Sequence, residues 1–322
     1  MGVISCFQLE LAQPLDGVYY GGEELKGILA ISVDTSILIA DLFVIFRGET
    51  HTRWIDPASD KIFESNEQYF NSRVELSFLN YCTNKSKRQL DKGDYQLPFH
   101  FELPRSIPST IDTEYGRTQY SVIARIELSE PTVFESKSPA MEYKIERSFN
   151  VSPATCTRQL QSSLNAVNIQ PKPIRRVDSK TINSRNSCYS NLCSSGKIGR
   201  VEMELVLSTS CFCVGEQLLA SVTISNVSKW NVQSIEFILL QHIKLQAKSR
   251  YEGVGQFKEL NRIVDAVTFP QIPPHARQHW PVHVRIPNIP PSQTSKLIGI
   301  AYWVKMLCND NGMEITLPIC IQ

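Results

Sequence analysis

The feature that most constrains this chain is an internal repeat of strand-forming patterns. Gly22–Leu25 (GEEL) matches Gly215–Leu218 (GEQL), which lies 193 residues further along. Leu97–Pro104 matches Trp280–Pro287 at an offset of 183, so the first copy holds ten extra residues. The offset of 193 also aligns two apolar triplets: Leu42, Val44 and Phe46 onto Ile235, Phe237 and Leu239. A slip of one residue would turn each apolar set toward solvent. The shared phase therefore indicates two copies of one fold.

Apolar residues alternate with polar ones in many short segments, and helix signals are scarce. Val201, Met203, Leu205 and Leu207, for example, share one face of a predicted strand. Period-two alternation bounded by Gly, Pro and Asn is typical of strands. Many strands without intervening helices favour antiparallel sandwiches. The sequence therefore predicts an all-β protein with two tandem Ig-like antiparallel β-sandwich domains.

The segment between the two copies has a different composition. Residues 153–196 are rich in Ser, Asn and Pro, show little periodicity and carry a net charge of +5. Such composition is typical of a linker. We therefore expect a β-sandwich domain over residues 1–152, a basic linker over 153–196 and a second β-sandwich domain over 197–322.

Overall charge and hydropathy restrict the class of protein. The net charge of the 322 residues is +1, which predicts no general attraction to nucleic acid. No apolar stretch approaches the roughly 20 residues that span a bilayer, and no signal-peptide pattern opens the sequence. We therefore expect a cytoplasmic protein whose nine cysteines are reduced, and not a secreted adhesion sandwich.

Two basic clusters are candidate contact sites for acidic partners. The first, here called the basic loop, runs from Lys85 to Lys92 and holds Lys85, Lys87, Arg88 and Lys92. The second, in the predicted linker, holds Lys172, Arg175 and Arg176. Clustered Lys and Arg pair with phosphate and with anionic lipid headgroups. A solvated loop is the alternative interpretation of each cluster.

Metal and catalytic sites find little support in the sequence. His275, His279 and His283 have helical ligand spacing, but the strand pattern turns His279 and His283 toward solvent. The spacings of Cys188 with Cys193, and of Cys211 with Cys213, are poor matches to structural zinc sites. No nucleophile elbow or phosphate-binding loop occurs. We therefore predict no cofactor and no enzyme.

The order and spacing of several short motifs resemble the alpha-arrestins, the arrestin-domain-containing proteins. The resemblance covers almost the whole chain. Besides the repeated segments above, it rests on Pro108-Ser109, Tyr115–Val122, Leu164-Asn165, Cys193–Gly196, Ile224–Asn226, Tyr302–Val304 and Leu317–Ile321.

The resemblance implies an arrestin fold and a non-enzymatic adaptor. Its partners would be cytoplasmic segments of membrane proteins, whose endocytosis, ubiquitin-linked sorting or signalling it would regulate. It would then lie at the periphery of the plasma membrane or of endosomes. In this family a tail with Pro-Pro-x-Tyr motifs recruits HECT-type ubiquitin ligases, because its prolines preset an extended helix that WW domains bind.

This sequence departs from that pattern in its proline pairs. Neither Pro273–Ala276 (PPHA) nor Pro290–Gln293 (PPSQ) has the tyrosine, and the sequence stops at Gln322, just past the predicted closing strand. We therefore expect a tailless member, for which an E3 ubiquitin ligase as partner would need a route other than this motif. A tailless tandem arrestin fold of this length also resembles the arrestin-like subunit of retromer. A coat subunit in endosomal protein sorting is therefore the alternative function. Anionic lipid is a further candidate partner, which the two basic clusters would contact.

Overall fold

The computed structural model describes residues 3–82, 84–85, 88–129, 141–153, 173–181, 199–250, 252–308 and 312–322. These residues divide into two compact units. The first holds the described residues up to 153, with Gln246–Gln256 and Ser295–Leu297. The second holds the remaining described residues from 173 onward.

Strands dominate the described residues, and one short 3-10 turn, Leu79–Tyr81, interrupts them. The strands of the first half are β1 Ile4–Leu11, β2 Val18–Tyr20, β3 Glu24–Val33, β4 Ile37–Ile55, β5 Ile62–Glu75, β6 Gln89–Leu90, β7 Gly93–Glu102, β8 Ile111–Thr113, β9 Gly116–Leu128 and β10 Glu142–Ser152. Those of the second half are β11 Ile174–Thr181, β12 Arg200–Leu207, β13 Cys211–Phe212, β14 Gln217–Asn226, β15 Ile235–Ser249, β16 Gly255–Phe269, β17 Arg277–Arg285, β18 Ile298–Cys308 and β19 Met313–Ile321.

Each unit contains two sheets, and the strands that the two units share follow the same order; β11 is an additional strand beside β12 in the second unit. In the first unit β1, β3 and β7 form one sheet, and β5, β4, β9, β10 and β2 follow one another in the other. In the second unit β12, β14 and β17 correspond to the first sheet. The strands β16, β15, β18, β19 and β13 correspond to the second. The prediction of an all-β fold with two tandem sandwiches is confirmed.

Two strand pairs among the described residues are parallel, whereas the sequence predicts antiparallel sandwiches. β10 runs parallel to β2, and β19 runs parallel to β13. They occupy equivalent positions in the two units, where an early strand of each sandwich lies beside its last strand. The duplicated pattern therefore extends to the exceptions.

The core follows the alternation in the sequence. In the first unit Leu25, Leu29, Val44 and Phe46 are fully buried between the sheets. The ring of Phe46 stacks on that of Phe101, with 4.5 Å between centroids. Leu97 and Phe99 of β7 are buried on the same face, and Phe101 on that face is only partly buried and packs at the margin of the core. In the second unit the apolar face of β12 is fully buried along its whole length: Val201, Met203, Leu205 and Leu207.

The repeated Gly-Glu pair forms the same turn in both units. Gly22 and Gly215 each have φ of +84°, a left-handed conformation that glycine adopts without steric cost. The carboxylate of Glu23 accepts a hydrogen bond from the Tyr20 N–H at 2.9 Å, and the carboxylate of Glu216 accepts one from the Cys213 N–H at 2.8 Å. The Gly-Glu pair that both copies share therefore forms the same backbone turn in each unit.

One strand lies where the sequence predicted a linker. Ile174–Thr181 forms β11, which pairs antiparallel with β12 over its full length. The alternation that marks other strands is missing here, because Ile174 and Val177 do not fall on one face. The rest of the predicted linker, residues 154–172 and 182–196, lies outside the described residues.

Candidate functional site

The basic loop begins just after a 3-10 turn and ends at β7. Lys85 and Lys92 are exposed, and Lys87 lies outside the described residues. Arg88 adopts a left-handed backbone conformation with φ of +52°, and its N–H donates to the Lys85 carbonyl at 3.3 Å. The Arg88 carbonyl accepts from the Ile39 N–H at 3.1 Å. The backbone at Arg88 therefore connects the loop to β4.

The Arg88 side chain is only partly available to a partner. Its guanidinium carbon lies 5.0 Å from the centroid of the Phe78 ring, within the range of a cation–π contact. Its Nε atom is buried without a hydrogen-bond partner among the described residues. Packing on Phe78 thus fixes Arg88, while Lys85 and Lys92 extend into solvent.

A buried thiol lies beneath this loop. The Cys82 Sγ atom donates weakly to the Phe78 carbonyl at 3.6 Å. Burial raises the pKa of the Cys82 thiol, and the positive charges of Arg88 and Lys85 act in the opposite direction. Lys85 and Arg88 therefore both lie close enough to Cys82 for their charges to act on its thiol.

An acidic side chain reduces the positive charge of the loop. The Asp91 carboxylate accepts hydrogen bonds from the Ser36 hydroxyl at 2.8 Å and from the Gln89 amide at 3.1 Å. It stands immediately before Lys92 in the chain. The basic loop is therefore a weaker anion site than its lysines and arginine alone suggest.

In the second basic cluster, the two arginines that the structure describes contact different partners. Arg175 and Arg176 lie in β11, and Lys172 lies outside the described residues. The Arg175 guanidinium forms an ion pair with Glu204 on the neighbouring strand. The Arg176 guanidinium donates to the Thr316 carbonyl at 3.0 Å. Both arginines therefore have partners within their own unit and do not form a joint clamp.

Among the described strands, β16 is the longest that lies at a sheet edge, a feature that the sequence interpretation missed. Within the described residues β16 pairs with β15, and none of its fifteen residues is buried. Phe257 and Ile263 are 51% and 63% exposed. The Lys244 ammonium lies 4.3 Å from the centroid of the Phe257 ring. Apolar residues occur on both faces of this strand, which removes the period-two signal.

The charges of β16 are separated by face. Glu259 and Asp265 share the face that includes the exposed Phe257 and Ile263, whereas the basic residues of the strand fall on the other face. Segregated charges of this kind favour a partner of opposite charge beside the exposed face.

The three histidines with ligand-like spacing, His275, His279 and His283, all lie within the described residues. Within the residues that the structure describes, no group of three or more His, Cys, Asp or Glu side chains could hold a metal ion. The His279 Nδ1 atom lies 3.0 Å from the Thr223 hydroxyl, and His275 occupies a left-handed turn with φ of +59°. Cys188 and Cys193 lie outside the described residues. Among the residues that the structure describes, no helix has the length and apolarity needed to cross a bilayer.

Comparison with known families and proteins places these two units. Residues 7–155 match the family model for the arrestin (or S-antigen) N-terminal domain, and residues 197–322 match the model for the arrestin C-terminal domain.

Similar proteins come from nematode and mammal. Arrestin domain-containing protein 15 of Caenorhabditis elegans is 25% identical over 305 residues, covering 91% of this chain and 73% of that protein. Arrestin domain-containing protein 17 of the same organism is 23% identical, covering 94% of this chain and 67% of that protein. Arrestin domain-containing protein 1 of Mus musculus is 22% identical, covering all of this chain and 65% of that protein. With both of its sandwiches matched in order, the chain belongs to the arrestin family, and the relatives that it resembles are alpha-arrestins.

Proposed function

We propose that this protein is a non-catalytic adaptor that binds cytoplasmic segments of membrane proteins and regulates their endocytosis, ubiquitin-linked sorting or signalling. The observation that carries the proposal is the match of both sandwiches, in order, to the two arrestin domains. We further propose that it acts in the cytoplasm, at the periphery of the plasma membrane or of endosomes. The alternative is a retromer-type coat subunit.

Proximity labelling in cells distinguishes these roles. The full chain, fused to a labelling enzyme, should enrich membrane receptors or transporters, with or without ubiquitin ligases. Enrichment of sorting-coat subunits in place of cargo would favour the coat subunit. Labelling that matches the unfused enzyme in both classes would contradict the adaptor proposal.

We propose β16 as a docking edge for a basic, extended cargo segment. An exposed edge strand offers unpaired N–H and C=O groups, to which a peptide adds as a further strand. The strand contains no proline that would block such pairing. Cytoplasmic segments next to membrane spans carry an excess of Lys and Arg. The acidic exposed face of β16, with Glu259 and Asp265, complements that charge.

A charge-reversal experiment tests the docking edge. Binding of a synthetic fifteen-residue peptide with alternating Lys and Val is measured by fluorescence anisotropy. Glu259→Lys with Asp265→Lys should weaken binding about five-fold or more, because two cross-strand charge pairs become repulsive. The matched control is Asp94→Lys with Glu102→Lys on an exposed face of β7. If both double variants lose the same binding affinity, the effect comes from the change in net charge, and β16 is not the docking edge.

The basic loop is the second proposed contact, for phosphorylated segments or anionic lipid headgroups. Lys85→Glu with Lys92→Glu should reduce binding to phosphopeptides or to vesicles that contain phosphatidylserine, since both side chains reach solvent. Arg88 is left intact because it packs on Phe78. Lys144→Glu with Lys229→Glu, two exposed lysines elsewhere, is the control. Unchanged binding to both probes would remove this site.

A further inference from the structure

Two cysteines of the second unit are direct neighbours across a parallel strand pair. Cys211 of β13 is the register partner of Cys320 of β19, and Phe212 is the partner of Ile321. The Cys320 N–H donates to the Ser210 carbonyl at 2.7 Å, which fixes this register. Neighbouring strands lie about 4.8 Å apart. That spacing falls within the roughly 4.4–6.8 Å between Cα atoms that a disulfide spans.

Both side chains lie on the same, partly open face of the sheet. Phe212, Ile319 and Ile321 are buried, so the residues that alternate with them point the other way. Cys211 and Cys320 are accordingly half-buried. Cys320 also lines an open cleft of about 500 Å³ together with Ser210, Ser292 and Pro318. A small soluble oxidant can therefore reach its sulfur atom.

A third cysteine, Cys213, is a poorer partner for Cys320. Its position in the register is one residue beyond the Phe212–Ile321 pair, so it does not lie opposite Cys320. The Cys213 N–H is held by the Glu216 carboxylate in the Gly-Glu turn. Burial, with the nearby Glu216 and Cys320, raises the pKa of the Cys213 thiol. Less of the nucleophilic thiolate is then present at neutral pH.

We propose that Cys211 and Cys320 are a redox-sensitive pair that closes to an inter-strand disulfide under hydrogen peroxide. The Cys320 thiolate attacks one peroxide oxygen, the O–O bond breaks, and the other oxygen leaves as hydroxide and is protonated to water. The Cys211 thiolate then attacks the sulfur of the Cys320 sulfenic acid and displaces a second hydroxide, which also becomes water. Two thiols lose two electrons, and one peroxide is reduced to two molecules of water.

The disulfide would join two strands that otherwise share only a short ladder. β13 is two residues long, and its backbone pairing with β19 is correspondingly brief. A covalent bond at Cys320 would hold the last strand of the second sandwich against this edge. We therefore expect the oxidised protein to unfold at a higher temperature than the reduced protein, and a thiol reductant to reverse the shift.

Peptide mapping of the full chain tests the proposal. The reduced protein is treated with increasing peroxide, alkylated and digested without reductant. Chymotrypsin cuts after Phe212 and separates Cys211 from Cys213, and glutamyl endoproteinase cuts after Glu314 and separates Cys308 from Cys320. The expected product is one linked peptide pair, containing Cys211 and Cys320, that dithiothreitol releases.

Serine variants keep the test decisive. Cys211→Ser and Cys320→Ser should each abolish the linked pair and the thermal shift, whereas Cys213→Ser should retain both. Serine is close in size to cysteine, and circular dichroism of each variant checks that it is folded. A link between Cys213 and Cys320, a link between Cys211 and Cys213, or reversible oxidation of no pair would overturn the proposal.

Discussion

The hydroxyl of Tyr120 donates a hydrogen bond to the carbonyl oxygen of Pro108, 2.7 Å away, inside the first sandwich. Tyr302 makes the same bond to the Pro290 carbonyl in the second, again across twelve residues of sequence. In both units this bond connects a long central strand to the segment that leads into it. The repeat is therefore preserved in individual polar contacts as well as in strand order.

Tyr120→Phe should destabilise the protein by about 1–3 kcal/mol, because the Pro108 carbonyl loses its buried donor while the ring is retained. Urea denaturation monitored by circular dichroism measures the change. Tyr81→Phe, at an exposed position, is the control and should change stability by less than about 0.5 kcal/mol. A loss at Tyr120 no larger than at Tyr81 would show that the buried bond contributes nothing net.

Tyr302 should make stability depend on alkaline pH. Burial raises the pKa of Tyr302 to about 12, with the Gln241 amide, which donates to the hydroxyl at 2.7 Å, acting in the opposite direction. In the unfolded chain the pKa returns to about 10. The contribution of Tyr302 to the free energy of unfolding is therefore fully present below pH 10. It is lost as pH rises through about 12, by about 2–3 kcal/mol in total.

The comparison of wild type with Tyr302→Phe isolates this residue from the other tyrosines. Urea denaturation of both proteins between pH 9 and 11.5 should show the wild type losing stability faster. Parallel curves would mean that Tyr302 ionises alike in the folded and unfolded states.

Phe46→Ala should cost about 3–5 kcal/mol, because the ring is fully buried and contacts the rings of Phe99 and Phe101. Phe257→Ala removes the same ring from an exposed strand and should cost less than about 1 kcal/mol. Thermal and urea unfolding give both values. Similar costs at the two positions would contradict the burial assigned to β4 and β16.

Gly27→Ala should destabilise the first sandwich by about 1–3 kcal/mol. A Cβ atom at Gly27 would overlap the Phe99 ring and lie 2.6 Å from the Glu10 carbonyl oxygen, and this backbone atom cannot move away easily. Gly93→Ala is the matched control in β7, since its nearest neighbour would be 3.7 Å away. The control should be neutral or slightly stabilising. If Gly27→Ala is equally well tolerated, the close approach of β1 and β7 to β3 at this point is wrong.

The sequence predicts the sandwich faces well wherever one face of a strand is buried. β17 illustrates this, because Val282 and Val284 are buried while His279 and His283 point outward, as the alternation indicates. Because of this alternation, the spacing of His279 and His283 is interpreted as that of a strand and not as that of a helical metal site. Period-two patterning arises from contact with a core, so it is reliable where such contact exists.

The alternation pattern does not predict the edge strands β11 and β16, because among the described residues neither has a buried face. β11 carries Arg175 and Arg176 in succession, and β16 has apolar residues on both faces, so neither shows a buried stripe. The availability of Arg88 could not be predicted either, since its contact with Phe78 depends on how the loop folds back. The proximity of Cys211 and Cys320 depends on pairing between strands that are distant in sequence.

The parallel pairing of β13 with β19 determines when this edge of the second sandwich can form during synthesis. Cys211 and Phe212 leave the ribosome long before Cys320 and Ile321, which are their partners. Folding during translation proceeds from the N-terminus. This edge of the second sandwich therefore cannot form until the end of β19 has been synthesised.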